Sequence, residues 1–130
     1  MIVFQLDATS GVATYLQLVQ QVHQALQLGP LEPGDQLPTA QQVVAKLAIN
    51  PNTVLKAYCD LEREGLVQPR PGQGTFVVGT LPRTDPLVQT RFLNAMSSWL
   101  SDARAAGLTP DDVEAIYRTA FRDSFAEGVA

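Results

Sequence analysis

An amide, a hydroxyl and an ammonium group fall within five positions of one another at Asn52, Thr53 and Lys56. Asn52 and Lys56 are four residues apart, so a helix through them carries both on one face. These groups donate and accept hydrogen bonds and carry one positive charge. The groove edges and phosphates of duplex DNA are the leading candidates for what they touch. Groups of the same kind stand at Thr39, Gln41 and Arg70, the last followed by Gly72 and Gly74. Chemistry of other kinds is poorly provided for. The single His23 and the single Cys59 lie 36 positions apart, which makes no metal constellation. No nucleophile stands with a base, and Gly72-Gln73-Gly74 precedes a strand pattern rather than the helix a phosphate loop requires. Asp111, Asp112 and Glu114 read as acids at a helix start. The expectation is a protein that is not an enzyme and needs no cofactor or metal.

The polar trio must be held by a helix that starts sharply. Asn50 is placed to cap it, and Pro51 fits the first helical position, where a missing N–H costs nothing. Val54, Ala57, Tyr58 and Leu61 form the opposite, core-facing stripe, and Gly65 supplies the left-handed stop. An earlier helix is expected from about Val12 to Leu28, with Tyr15, Leu18, Val19, Val22, Ala25 and Leu26 inward and its glutamines facing water. His23 is expected as a solvated surface residue and Cys59 as a packed one. Pro33-Gly34 suits a type II turn. Thr39 with Gln42 makes a capping box for a short second helix, which buries Val43, Val44 and Leu47. After Gly65, two short extended runs flank Arg70-Pro71-Gly72-Gln73-Gly74 and predict a hairpin with a glycine-rich tip. Three helices and a hairpin make a winged helix-turn-helix. Ile2-Val3-Phe4 is expected to add a small strand.

Gly79 to Thr84 reads as a linker, dividing a domain at 1–80 from a helical segment at 81–130. Asp85-Pro86 and Thr109-Pro110 each open a further helix. These two helices carry more apolar surface than a short tail can bury, including Phe92, Met96, Trp99, Ile116, Tyr117 and Phe121. Exposed apolar surface of this extent is an association site, and a twofold homodimer through the tails is the expected solution. A tail folded back on its own domain, or aromatics lining a ligand pocket, are the rival readings. The fold class is therefore mainly α with a small β-wing, followed by a two-helix dimerisation segment.

The chain has 130 residues, 45% of them hydrophobic, and a net charge of −4. That suffices for a core and is unlike a disordered chain. No apolar run approaches the ~20 residues of a membrane span, and the first residues lack a signal-peptide pattern. One unpaired cysteine is consistent with a reducing compartment, so a cytoplasmic protein is expected. Residues 1–80 carry four cations against six acids, and residues 81–130 five against seven. Neither half is a basic block, so a DNA reader built here must place few cations well and binds nonspecific DNA weakly.

Taken together, several motifs resemble the GntR family of bacterial transcription regulators. They include Tyr15-Leu16-Gln17-Leu18, Pro33-Gly34, Leu37-Pro38-Thr39, Asn52-Thr53-Val54, Asp60-Leu61-Glu62-Arg63-Glu64-Gly65-Leu66-Val67 and Gly72-Gln73-Gly74-Thr75-Phe76-Val77. The short two-helix tail is similar to the YtrA subfamily, whose members are small dimeric repressors. The resemblance implies that the helix from Pro51 enters a major groove of an operator and the wing approaches a minor groove. Asn52, Thr53 and Lys56 would contact bases or phosphates, Thr39 a phosphate, and Arg70 with the Gly72–Gly74 amides would serve the wing. One departure stands at Gln41, where relatives usually have Arg. Gln suits adenine and carries no charge, whereas Arg reads guanine and attracts phosphate. Leu55, often polar in relatives, is a candidate thymine-methyl contact or a neutral replacement. A small-molecule effector, unidentified, is a further candidate partner, and a winged-helix protein-interaction module without DNA affinity is the alternative function.

Overall fold

Local capping chemistry sets the helix boundaries in the computed structural model, which describes residues 2–126. The chain divides into two compact units, Met1–Thr84 and Asp85–Ala130. In the first unit, α1 (Thr14–Leu28) ends at Gly29 in the left-handed conformation, whose N–H reaches the Ala25 carbonyl. α2 (Ala40–Leu47) begins with a reciprocal box: Thr39 Oγ1 accepts from the Gln42 N–H at 3.1 Å, and Gln42 Oε1 accepts from the Thr39 N–H at 2.9 Å. α3 (Pro51–Arg63) is capped by Asn50, whose Oδ1 accepts from the Asn52 N–H at 2.8 Å. Strands β1 (Val67–Arg70) and β2 (Gly74–Val77) pair antiparallel, with Val67 opposite Val77 and Arg70 opposite Gly74. The expected winged helix-turn-helix is present.

The core lies where α1, α2, α3 and β1 meet. Leu18, Val22, Val54, Leu61 and Val77 are wholly buried, with Phe4, Leu37 and Val43 packed among them. Tyr58 is buried too, and its hydroxyl donates to the Pro38 carbonyl just before the α2 cap. Burial pushes that phenol above its ordinary pKa, so it stays a neutral donor and ties α3 to the start of α2.

The turn between α2 and α3 is tight, and Ala48 adopts a left-handed φ of 54°. That conformation costs an L-residue about 1–2 kcal/mol, while glycine adds about 0.4–1 kcal/mol of unfolded-state entropy to be lost. Ala48→Gly is therefore expected to stabilise the domain by about 0.5–1 kcal/mol, raising the melting temperature by roughly 3–6 °C in thermal denaturation. A lower melting temperature would show that the Ala48 methyl contributes packing that outweighs its strain.

Several expectations are corrected. Ile2–Phe4 forms no strand. Instead Gln17 and Gln21, expected to face water, grip the N-terminal segment. Gln21 exchanges hydrogen bonds with the Gln5 backbone at 2.9 and 2.6 Å, and Gln17 does so with Asp7 at 2.9 and 3.0 Å. A glutamine amide satisfies both a free N–H and a free C=O, which does the work of a neighbouring strand. His23 is not simply solvated: its Nε2 lies 2.9–3.1 Å from the Glu64 carboxylate across the α1–α3 seam. Cys59 is exposed, not packed, because it falls seven residues after Asn52 on the outward side of α3.

Gly79–Thr84, expected as a linker, is fastened to the first unit. The Gly79 N–H bonds to Leu66 O at 3.1 Å, Arg83 donates to Gly29 O at 3.1 Å, and Leu81 packs on the core. The hairpin also gains a neighbour. Gly34 N donates to Val77 O, Val77 N to Asp35 O, and Leu37 N to Thr75 O, at 2.8–2.9 Å, with Gln36 bridged to Phe76. The Pro33-Gly34 turn, closed by an Asp35 N to Glu32 O bond of 3.1 Å, thus feeds a short extended piece onto the outer side of β2.

In the second unit, α4 (Pro86–Ala105) is capped by Asp85, and α5 (Pro110–Phe125) by a box between Thr109 and Asp112. The Thr109 bonds hold the Asp112 carboxyl below its ordinary pKa of 3.8. This contribution is therefore present above that value and lost as pH falls through the lower folded-state value. Arg118 pairs with Glu114 at 2.7 Å, one turn apart on α5. Ala103 is the one buried residue of α4, and α5 has none.

Candidate nucleic-acid interface

The α3 helix presents its polar residues because its other side is committed to the core. With Val54, Ala57, Tyr58 and Leu61 buried, positions 52, 55, 56 and 59 point outward. The exposed stripe is thus Asn52, Leu55, Lys56 and Cys59, two helical turns long, with Thr53 half-buried at its edge. The Asn50 cap and Pro51 fix the first turn, so Asn52 and Thr53 sit on backbone held in helical geometry.

Asn52, Thr53 and Lys56 come together around one open notch of about 380 Å³, shared with Thr14, Tyr15 and Asn50. The Lys56 ammonium stands 3.9 Å above the centre of the Tyr15 ring. Thr39 and Gln41 are exposed at the start of α2 and do not line that notch. The Thr39 oxygen is used as the α2 cap, which leaves its O–H free to donate.

The wing tip is separately built. Arg70 is exposed, its guanidinium 4.4 Å above the Phe76 ring. Gly72 has a left-handed φ of 75° with open space around it, so conformation alone calls for glycine there. Gly74 has a φ of 123°, and a Cβ on it would meet Gln36 Nε2 at 2.4 Å. That Nε2 donates to the Gln73 carbonyl at 2.9 Å, which props the tip from below.

The electrostatics are sparse. The first unit holds five cations against six acids, and Arg63 is engaged with Asp60 at 3.2 Å. Of the cations on α3 and the hairpin, Lys56 and Arg70 take part in none of the described ion pairs, and both rest on aromatic rings. A surface of this kind makes few phosphate contacts, so DNA affinity through it depends on fit more than on charge. Tyr15 and Gln36 were not among the expected site residues. Tyr15 belongs to the inward stripe of α1 by periodicity, and Gln36 sits in a loop, so neither carries a local signal of its role.

Comparison with known proteins agrees with this arrangement. Residues 14–77, spanning α1 to the end of the wing, match the model for bacterial regulatory proteins of the gntR family. The HTH-type transcriptional repressor YtrA of Bacillus subtilis is 35% identical over 107 residues, covering 80% of this chain and 81% of that protein. The uncharacterised HTH-type regulator YhcF of the same organism is 31% identical, covering 80% and 86%. Among solved structures, YtrA from Sulfolobus acidocaldarius, a GntR-family transcription factor, superposes with a TM-score of 0.54. It is 25% identical, and the match covers 78% of this chain and 97% of that one. These relatives favour DNA binding over a protein-interaction module. With its wing, its capped α3 and a match that runs through most of both chains, this protein belongs to the GntR family and is a DNA-binding transcription regulator.

Proposed function

We propose that the regulator acts in the cytoplasm as a homodimeric repressor on a pseudo-palindromic operator. It catalyses no reaction of its own. The observation that carries the reading is the outward stripe of α3, held by an Asn50 cap and a buried opposite face, beside an ordered wing. The repressor named YtrA, similar over most of its length, supports the sign of regulation. The apolar residues left exposed on α4 and α5 support pairing of two copies. A dimer would set two α3 helices into major grooves about one turn, or ~34 Å, apart.

Selection of bound fragments from a genomic DNA pool tests this. The expected product is an inverted repeat with half-sites about one turn apart. Recovery of single or unrelated sites would sink the dimeric reading. In-vitro transcription from a recovered promoter, expected to fall when the protein is added, fixes the sign.

Lys56→Ala is expected to weaken operator binding about tenfold and to lower the salt slope by about one per protomer, because one phosphate contact is lost. Unchanged affinity and slope would remove Lys56 from the interface. Gln41→Arg is expected to strengthen binding to random duplex DNA and to steepen its salt dependence, since Gln41 is exposed at the start of α2 and a cation there faces phosphate. Titrations in which the variant binds every duplex more weakly would count against placing Gln41 at the interface.

A further inference from the structure

We infer that Tyr15 is a positioning residue for DNA binding: its ring holds the Lys56 ammonium in the orientation from which it meets the phosphate backbone. The inference rests on Lys56 being a DNA contact and extends that reading from α3 to α1. Lys56 Nζ lies 3.9 Å from the ring centroid, well within the range of an attractive cation–π contact. The ring cannot swing away freely, because Tyr15 is half-buried and packs against the hydrophobic core. Lys56 itself is exposed, and among the described residues no carboxylate pairs with it: the salt bridges involve His23, Arg63 and Arg118. The ring is therefore what orders this side chain.

Ordering a lysine matters because its four-carbon stem is flexible and loses rotamer freedom when it binds. A ring under one side of the ammonium meets part of that cost before DNA arrives. It also leaves the N–H groups on the far side of the ammonium free to donate, and Asn52 and Thr53 line the same notch. In a protein with so few cations on its projecting elements, the placement of one of them has a measurable consequence. A neutral Tyr15 adds no charge, so its effect must pass through Lys56.

The test is a double-mutant cycle on a duplex selected from a random pool by the wild-type protein. Tyr15→Leu is expected to weaken binding about threefold to tenfold. Tyr15→Phe, which keeps the ring and removes the hydroxyl, is expected to bind like wild type. In a Lys56→Met background, Tyr15→Leu should cause no further loss. In NMR spectra of the free protein, the Lys56 ε-methylene protons should be shifted upfield by the ring, a shift kept in Tyr15→Phe and lost in Tyr15→Leu. Thermal melts of the same variants separate a folding defect from a binding one.

The inference is overturned by an equal loss from Tyr15→Leu with or without Lys56, by a Tyr15→Phe variant as weak as Tyr15→Leu, or by tighter binding by Tyr15→Leu. If Lys56→Met leaves affinity unchanged, the Lys56 contact itself fails and the inference with it. If Lys56→Met weakens binding and Tyr15→Leu does not, only the role of Tyr15 fails.

Discussion

In the homodimer proposed above, Trp99→Asp is expected to leave a monomer in sedimentation experiments, and to weaken binding to a two-half-site operator about 100-fold or more. Binding to an isolated half-site should stay at the wild-type level. The reason lies in the poverty of the second unit's own core. Ala103 is buried and every other residue of α4 is not, while α5 buries nothing. Phe92, Met96, Trp99, Ile116, Tyr117 and Phe121 remain 39–59% exposed. Covering large apolar side chains is worth about 1.5–3 kcal/mol each, so pairing two such surfaces recovers a large free energy. Trp99 lines the apolar cleft between α4 and α5 together with Met96, Leu100 and Tyr117. A carboxylate placed there would have to be desolvated, which costs several kcal/mol and is not offset in full even by Arg104 on the wall of the same cleft. Two linked half-site readers gain from effective concentration, and that gain disappears in a monomer. Retained half-site binding shows that the first unit still folds. A Trp99→Asp protein that still sediments as a dimer would place the pairing surface elsewhere.

What the sequence made legible is largely what is local. Asn50, Thr39, Asp85 and Thr109 announce their helices because a cap and the N–H it satisfies lie within three residues. The buried stripe of α3 was readable for the same reason, since its period is set by the helix itself. Features that depend on distant partners were not readable. Gln17 and Gln21 look like solvent-facing positions until the N-terminal segment is seen lying against them. Cys59 follows Tyr58 in sequence yet faces the other way. The pairing of Gly34–Leu37 with β2 joins residues some forty positions apart, and nothing in either segment signals it.

The candidate interface divides along the same line. Residue types suited to DNA could be picked out at Asn52, Lys56 and Arg70, because their chemistry is intrinsic. The supports beneath them could not. Tyr15 under Lys56, Phe76 under Arg70 and Gln36 under the wing tip are contacts of tertiary structure. Each places a charged or polar group that would otherwise sample many rotamers, and such placement matters most where net charge gives little help.

Gly79→Ala is expected to destabilise the first unit by about 3 kcal/mol, at the upper end of overpacking costs. For a domain of this size that lowers the melting temperature by roughly 12–24 °C. The chain leaves β2 at Gly79 and passes directly over the turn that ends α3, where Gly65 is left-handed at φ 77°. A Cβ on Gly79 would lie 2.3 Å from the Gly65 carbonyl oxygen and 3.1 Å from Leu66 Cα. Both are backbone, so no rotamer change relieves the clash. Relief requires parting the Gly79 and Val78 N–H groups from the Leu66 carbonyl, which is the contact that closes the base of the wing on α3. Gly72→Ala provides the comparison: it meets open space at φ 75°, so it pays only conformational strain of about 1–2 kcal/mol. A Gly79→Ala protein that melts no lower than Gly72→Ala would mean that the wing base shifts without cost. In that event the placement of the wing relative to α3 could not depend on the Gly65–Gly79 crossing.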